Sequence, residues 1–274
     1  MKEHIVCFRE GPYNKTAFIG RKKTYFQTDD FNYTVDDNQY TINEYIGSDD
    51  EVSILDIRGG THIIVAKSKF LRATSGASID TAYTWQSNNV KVEIKFANLE
   101  TNSATIFGAE DRVFGNTDVS GQYSLIGHTS LYNGLRLAWY AGKIAGLGLS
   151  DTYPLDNIHK LIIETNNTEG KVICNLDGNN QVYENADATI VNKTVSNTIF
   201  SSHFYPNTYT QFAPCDVYYC KMWDNGELVR DLRPVKSGQT LSGVTFTEDG
   251  FFDNVTNRFF GNATSDGSIT YMEE

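Results

Sequence analysis

Apolar and polar residues alternate with a period of two along much of the chain, and residues 216–223 show this most clearly. One set of alternate positions holds Tyr218, Cys220 and Met222, and the other holds Tyr219, Lys221 and Trp223. This period is typical of a strand with one buried face. Because Lys221 belongs to the second set, we expect the first set to face the core.

A tight turn is predicted directly after this strand, at Asp224-Asn225-Gly226, because these residue types tolerate positive φ angles. Residues 228–232 then predict a returning strand. We expect Pro234 to end it, since proline donates no hydrogen bond to a sheet. Asp177-Gly178-Asn179-Asn180 predicts a second hairpin turn of the same kind.

The same reasoning predicts many short strands and no long helix, because no window shows a convincing 3.6-residue period. An aromatic content of 13% and only 5 prolines suit such a fold. The strands are expected near residues 78–82, 90–97, 104–109, 122–128, 134–140, 159–165, 171–176, 180–184, 198–203, 216–223 and 228–232. We expect two domains, a small β-rich N-terminal module over residues 1–72 and a larger β domain over residues 76–274.

The larger domain also resembles a known family. The string DNGELVRDLRP at residues 224–234 and the string GFFDNVTNRFFGN at residues 250–262 are similar to the closing part of laminin-G-like, concanavalin-A-like domains. Residues 78–81, 88–96 and 106–109 fit the opening part of the same domain. Such domains occur in bacteriophage virion proteins (head-fibre, decoration or tail-fibre proteins) and in surface proteins of gut bacteria. The resemblance implies an all-β fold, an antiparallel two-sheet jelly-roll sandwich, but this fold carries many unrelated activities.

The overall charge argues against nucleic acid as a partner. The chain has 23 Lys and Arg against 34 Asp and Glu, a formal net charge of −11. A nucleic-acid binder needs a basic patch, and the longest basic run is Arg21-Lys22-Lys23. Residues 1–20 lack the apolar core of a signal peptide, and no run approaches a membrane span. We therefore expect a product of the host cytoplasm that is carried in a virion and that does not bind a membrane.

An enzyme of this fold would be expected to hold paired carboxylates. Glucanases that share the jelly roll carry a Glu-x-Asp-x-x-Glu strand, and no Glu of this chain has an Asp two residues later. The chain also lacks a GxSxG elbow, a GxxxxGK[ST] loop and histidines at metal-binding spacing. We expect no catalytic residue and no enzyme activity, and interpret each histidine as an ordinary strand or turn residue.

Carbohydrate binding is the sharper functional hypothesis, because sugars stack on aromatic rings and exchange hydrogen bonds with amides on the loops of a rigid sandwich. Structural packing of the same residues is the alternative. Two predicted loops combine these residue types, and the candidates are Tyr83, Trp85, Asn88, Tyr205, Asn207 and Tyr209.

No cofactor or metal is expected, although oxygen-rich loops make calcium a possibility. The candidate groups are Asp177 with Asn179 and Asn180, or Asp249 with Asp253 and Asn254. Turn and hairpin geometry would explain both groups without a metal. Cys7, Cys174, Cys215 and Cys220 fit no paired metal or redox motif, so we expect free buried thiols, with a bridge between Cys215 and Cys220 as the alternative.

Together these observations favour a non-enzymatic phage virion protein that exposes a jelly roll for surface or glycan binding. Its expected partners are other virion proteins, a host-surface glycan and further copies of itself in a homo-oligomer, with the N-terminal module as the anchor. The alternative is a carbohydrate-binding adhesin of a bacterial surface. A glycoside hydrolase with an unrecognised site is the third, less favoured reading.

Overall fold

The structure is a computed structural model of the 274-residue chain. It describes side chains at residues 69–98, 113–116, 157–180, 182, 184, 193–203, 208–241 and 243–273. Elsewhere it describes strands only. Backbone proximity divides the chain into two compact units, Met1–Ser68 with Glu273–Glu274, and Lys69–Met272.

The first unit contains two sheets. Its strands are β1 (Ile5–Val6), β2 (Phe18–Ile19), β3 (Lys22–Lys23), β4 (Thr28–Val35), β5 (Asn38–Asn43), β6 (Ser53–Leu55) and β7 (Ile63–Val65). Five of them form a sheet in the order β3-β2-β1-β6-β7, in which β1 and β6 run parallel. Strands β4 and β5 form an antiparallel hairpin.

The second unit contains two large sheets and one small hairpin. Ten strands form the larger sheet: β8 (Lys69–Ala73), β10 (Val90–Ala97), β14 (His159–Asn166), β15 (Lys171–Leu176), β16 (Asn179–Glu184), β20 (Asp216–Asp224), β21 (Glu227–Val235), β24 (Gly250–Asp253), β25 (Arg258–Phe260) and β26 (Ile269–Glu273). Seven form the smaller one: β9 (Ile79–Asp80), β11 (Glu110–Thr117), β12 (Tyr123–Thr129), β13 (Gly134–Trp139), β17 (Thr198–Ile199), β18 (Ser202–Phe204) and β19 (Thr208–Thr210). Strands β22 (Thr240–Leu241) and β23 (Val244–Thr245) form the hairpin.

Pairing in the ten-stranded sheet follows the order β16-β15-β14-β10-β20-β21-β24-β25, and β8 pairs with both β20 and β26. Pairing in the seven-stranded sheet follows β13-β12-β11-β17-β9, with β18 beside β11 and β19 beside β18. Strands β11 and β18 run parallel. The described residues contain no helix, and hence none that is long and apolar enough to span a bilayer.

The core lies between the two sheets, because strands of both contribute fully buried apolar side chains to a single cluster. Strand β10 shows why: its burial alternates along Val-Lys-Val-Glu-Ile-Lys, so Val92 and Ile94 point into the core. Phe114 and Ile199 face them from the seven-stranded sheet. Phe200 and Phe251 stack with ring centroids 6.4 Å apart. The expected all-β, antiparallel two-sheet jelly roll is confirmed.

The predicted hairpin turns are also confirmed. Asp224 pairs with Glu227, which leaves Asn225 and Gly226 as a two-residue turn with φ angles of 51° and 84°. Positive φ at both positions is the geometry of a type I′ turn, for which Asn-Gly is the favoured dipeptide. Asp177 and Gly178 join β15 to β16 in the same way.

The prediction for the buried face of β20 is right for Cys220 and Met222 and wrong for Tyr218. Cys220 and Met222 lie in the main core, whereas Tyr218 packs with Tyr219 and Phe70 in a second cluster. The register of β20 against β10 shifts at this point, since Lys95 pairs with Tyr219 and Phe96 pairs with Val217. Tyr218 is the extra residue of a β-bulge, which breaks the period of two and puts Val217 into the core.

The predicted end of the returning strand was wrong. Strand β21 continues through Pro234 to Val235, because its pairing with β20 ends at Leu232 and beyond it the strand pairs only with β24. Pro234 can therefore sit where no neighbour needs its missing N–H. The strand expected at residues 104–109 falls outside the described residues, and the strand observed nearby is β11.

Candidate ligand-binding site

The first predicted loop, residues 81–89, is held by a buried carboxylate. Asp224 is 6% exposed and accepts hydrogen bonds from the Tyr83 hydroxyl at 3.0 Å and the Gln86 backbone N–H at 2.6 Å. The Arg230 guanidinium lies 5.0 Å from the centroid of the Tyr83 ring. Burial, together with the hydrogen bond to Asp224, raises the pKa of Tyr83 to about 12. Tyr83 is thus tied into the sandwich through both its ring and its hydroxyl.

Trp85 of this loop does not present a ring face to solvent, whereas Asn88 is partly exposed. Trp85 is 1% exposed and belongs to the main core, so neither face of its indole is open for stacking. Its packing is the alternative that the sequence left open. The Asn88 backbone carbonyl accepts a hydrogen bond from the Thr165 hydroxyl at 2.7 Å, and its side-chain Oδ1 has no hydrogen-bond partner within the described part of the chain.

The second predicted loop contributes one described residue. Tyr205 and Asn207 lie outside the described residues. Tyr209 lies in β19, directly opposite His203 of β18 in an antiparallel register. Their rings are 5.0 Å apart, and the Tyr209 hydroxyl donates to Asp80 Oδ2 at 3.0 Å. Burial and the nearby Asp80 carboxylate raise the pKa of Tyr209 to about 12, so the phenol keeps its proton at physiological pH.

These contacts belong to a polar group that we call the His203 cluster: Asp80, Asn116, Ser196, His203 and Tyr209. His203 Nδ1 lies 2.8 Å from Ser196 Oγ and 3.7 Å from Asp80 Oδ2. Asn116 pairs with His203 across the parallel strands β11 and β18 and donates to the Val195 carbonyl at 2.9 Å. Five separate segments of the chain therefore meet here.

The cluster contains buried polar atoms that no described residue satisfies. His203 Nε2 and Asn116 Oδ1 have no hydrogen-bond partner within the described part of the chain, although His203 is 6% exposed and Asn116 is fully buried. Asn197 follows Ser196 in sequence, and its buried side-chain oxygen Oδ1 also has no hydrogen-bond partner among the described residues. Leaving such an atom unsatisfied costs about 1–3 kcal/mol, so a bound water or a ligand hydroxyl would stabilise it.

Asn197 also connects the two predicted loops. Its side chain donates to the Tyr83 carbonyl at 2.9 Å, and its own carbonyl accepts from the Thr81 hydroxyl at 2.8 Å. Ser196, the residue before Asn197, forms a hydrogen bond with His203, so two adjacent residues connect the Tyr83 loop to the His203 cluster. The structure thus brings Tyr83 and Tyr209 into one polar region, while Trp85 belongs to the core below it.

The geometry of the cluster suits ligand hydroxyls and differs from that of a catalytic triad. In a triad the serine and the carboxylate bond opposite nitrogens of the histidine, whereas Ser196 and Asp80 both lie near Nδ1. Depending on its tautomer, Nε2 either donates or accepts. A hydroxyl group serves both cases, because it can donate and accept.

The carboxylates of the calcium candidates form hydrogen bonds with the chain itself. Asp177 accepts from the Lys160 N–H at 2.8 Å and lies 2.7 Å from His159 Nδ1. Asp249 accepts from the backbone N–H groups of Ser237 and Tyr271, both at 2.8 Å. Asp253 is fully buried and accepts three hydrogen bonds. Among the described residues, no group of three or more His, Cys, Asp or Glu side chains could hold a metal ion.

The described cysteines are free and buried: Cys174, Cys215 and Cys220. This agrees with the expectation of reduced thiols and disfavours the bridge between Cys215 and Cys220, while Cys7 lies outside the described residues. Burial raises the pKa of the Cys174 thiol to about 12 and that of the Cys220 thiol further. Neither has the lowered pKa of a reactive cysteine.

Sequence reasoning missed Asp80, Asn116, Ser196 and His203. The histidine was interpreted as a plain strand residue, and its partners are up to 123 positions away in the chain. Only the order of strands β9, β17, β11, β18 and β19 brings them together. The sequence contains no local spacing that could have indicated this arrangement.

Comparison with known proteins gives matches among solved structures only. No family model matches the chain, and no curated protein matches it. A "putative carbohydrate binding protein" from Bacteroides ovatus ATCC 8483 is similar with a TM-score of 0.51 and 10% sequence identity. The match covers 86% of this chain and 66% of that one, so this chain spans just under two thirds of its length.

Two further solved structures show weaker similarity. A heptameric SAP-like pentraxin from Limulus polyphemus has a TM-score of 0.46 and 10% identity, with 76% of this chain and 95% of that chain covered. The extracellular region of zebrafish Gpr126/Adgrg6 has a TM-score of 0.44 and 12% identity, with 74% and 27% covered. Identities this low concern the fold alone. With the two antiparallel sheets described above, the fold class is the concanavalin-A-like jelly roll.

Proposed function

We propose that this chain is a carbohydrate-binding protein whose jelly roll binds glycan hydroxyls at the His203 cluster, without catalysing their cleavage. The observation that carries the proposal is the pair of unsatisfied buried atoms, His203 Nε2 and Asn116 Oδ1, beside the partly exposed Tyr209 and Asp80. The name of the similar Bacteroides ovatus protein supports a binding role. This favours the adhesin reading of the sequence.

The experiment is a glycan array probed with the intact chain and two matched variants. Tyr209→Phe removes the hydroxyl that donates to Asp80 and should weaken binding about fivefold, the equivalent of one hydrogen bond of about 1 kcal/mol. Tyr219→Phe is the control, because its hydroxyl also donates to a carboxylate, Glu93 at 2.9 Å, but on the ten-stranded sheet. The control should bind within about twofold of the parent. Failure of the parent chain to bind any glycan would refute the proposal.

The absence of catalysis is tested separately, by measuring reducing sugar released from every polysaccharide that the chain binds. We expect no release above buffer. The cluster offers the single carboxylate Asp80, whereas glycosidases use two carboxylates about 5–9.5 Å apart. Turnover that disappears in an Asp80→Asn variant would reverse this part of the proposal.

The virion placement rests on the resemblance of residues 224–234 and 250–262, with residues 78–81, 88–96 and 106–109, and it stays a prediction. Residues 1–72 would then attach the chain to other virion proteins, with several copies in each particle. Deleting residues 1–68 should leave a folded jelly roll, as measured by circular dichroism, that no longer joins particles. Incorporation of the truncated chain would remove the anchor role, and a gene without capsid or tail genes nearby would leave the bacterial adhesin as the preferred reading.

A further inference from the structure

We infer that the His203 cluster selects neutral glycans and rejects those that carry carboxylate groups. This deepens the proposed function and rests on it. The inference comes from the distribution of charge and hydrogen-bond donors around Asp80, whose side chain is 23% exposed.

Asp80 brings a negative charge to the accessible part of the cluster. Its two oxygens accept from the Ala82 N–H at 2.7 Å and from the Tyr209 hydroxyl at 3.0 Å. A carboxylate has about four acceptor sites, so Asp80 can accept further hydrogen bonds. A ligand hydroxyl can provide them, whereas a ligand carboxylate has no proton to donate and would repel Asp80.

No Lys or Arg forms an ion pair with Asp80 among the described residues. Arg230 of β21 lies against the Tyr83 ring. Its guanidinium donates to the carbonyls of Thr81, Val229 and Ala82. It also lies 3.7 Å from the buried Asp253 carboxylate. Arg230 is therefore committed to the chain itself and does not provide a site for an anionic sugar.

The unsatisfied atoms point to the same ligand class. Asn116 Oδ1 accepts only, so it requires a donor, and His203 Nε2 requires a donor or an acceptor depending on its tautomer. Hydroxyls meet both needs. Because a uronate keeps its remaining hydroxyls, discrimination against it comes from the charge of Asp80. The formal net charge of −11 adds a longer-range repulsion of anions, which salt screens.

The test compares neutral hexose oligosaccharides with the same oligosaccharides oxidised at C6 to uronates, both immobilised, and measures the affinity of the intact chain for each. We expect the neutral form to bind at least about tenfold more tightly, which corresponds to about 1.4 kcal/mol. Raising the salt from about 50 mM to about 500 mM should narrow the ratio, because repulsion between exposed charges is screened.

Asp80→Asn should reduce the ratio of neutral to uronate affinity at least about threefold at low salt, since the substitution removes the charge and keeps an acceptor oxygen. Glu184→Gln is the matched control: it removes one charge from a side chain that is 76% exposed on β16, and should leave the ratio unchanged. Uronates that bind as well as the neutral forms would overturn the inference and leave the proposed function standing. A preference for neutral sugars that responds neither to salt nor to Asp80→Asn in a folded variant would overturn it too. Binding to neither form would refute the proposed function itself.

Discussion

Two polar regions of the jelly roll use the same residue types in opposite ways. In the closing segment, residues 250–267, Asp253 accepts from the Asp231 N–H, the Val255 N–H and the Thr256 hydroxyl at 2.8, 3.1 and 2.6 Å. Asn262 accepts from the Ser78 N–H and donates to the Gly267 carbonyl. In the His203 cluster, by contrast, His203 Nε2 and Asn116 Oδ1 have no partner among the described residues.

The difference separates residues that build the fold from residues that are available to a ligand. A buried carboxylate whose acceptor sites are occupied by its own backbone stabilises the chain. A buried amide or imidazole with an open atom costs stability unless something else binds it. The string at residues 250–262, which resembles a known domain family, thus indicates architecture. Of the residues in the His203 cluster, only Asp80 lies in a stretch that carries the same resemblance.

The largest effect should come from Asp253→Ala. The substitution leaves three donors without their acceptor in a fully buried position, and we expect a loss of about 3 kcal/mol in the free energy of unfolding. Urea denaturation measures it, with the exposed Asp266→Ala as the control. Glycan affinity of the folded fraction should not change. A loss below about 1 kcal/mol would show that the hydrogen bonds accepted by Asp253 do not stabilise the fold as the comparison requires.

Gly250→Ala should cost less, about 2 kcal/mol, through overpacking. A methyl group at this position would meet the Phe260 carbonyl oxygen and would lie 2.7 Å from atoms of the Phe259 ring. Because both belong to the adjacent hairpin strand, the backbone of the closing segment has to shift. Urea denaturation measures this loss too. An unchanged free energy of unfolding would show that the closing segment accommodates the methyl group without strain.

A substitution in the cluster should change stability little and binding much. His203→Phe removes the unsatisfied Nε2 and the bond to Ser196 together, so we expect the free energy of unfolding to stay within about 1 kcal/mol of the parent. Glycan affinity should fall at least about tenfold. A destabilisation as large as that of Asp253→Ala would mean that His203 is a structural residue and would remove the contrast between the two regions.

The smallest effect concerns alkaline pH. The pKa values of Tyr83 and Tyr209 are raised from 10.0 to about 12, chiefly by burial, so the folded chain holds these protons more tightly than the unfolded chain. Their contribution to stability is complete below pH 10 and is lost as the pH rises towards 12. In the double variant Tyr83→Phe and Tyr209→Phe, Tm should fall less steeply over this range. The buried cysteine thiols are the same in both proteins and do not explain a difference between them. Equal slopes of Tm against pH would therefore contradict the prediction.

Much of the fold could be predicted from sequence, because local patterns determine it. The period of two in β10 and the Asn-Gly turn after β20 are properties of neighbouring residues. The features that were predicted wrongly depend on neighbouring strands that are distant in sequence. The bulge at Tyr218 and the strand through Pro234 follow from which neighbour pairs with each stretch, and the sequence does not contain that information locally.

The site was less predictable for the same reason. Tyr83 and Tyr209 were selected as aromatic residues near polar loops, and both lie in the polar region, but Trp85 has the same local signature and is a core residue. Aromatic side chains suit cores as well as ligand surfaces. The parallel pairing of β11 and β18 brings His203 and Asn116 together although they are 87 positions apart, and no local pattern in either segment indicates this pairing.

The pairing of β8 with β26 determines how this domain can be joined to other chains. Thr74, just after β8, donates to the carbonyl of Ser268, just before β26, so the two strands run in opposite directions. The entry of the chain at Lys69 and its exit at Met272 therefore lie at the same end of the strand pair. A domain whose two ends lie close together can be circularly permuted. It can also be inserted into a surface loop of another protein without separating the two sides of that loop.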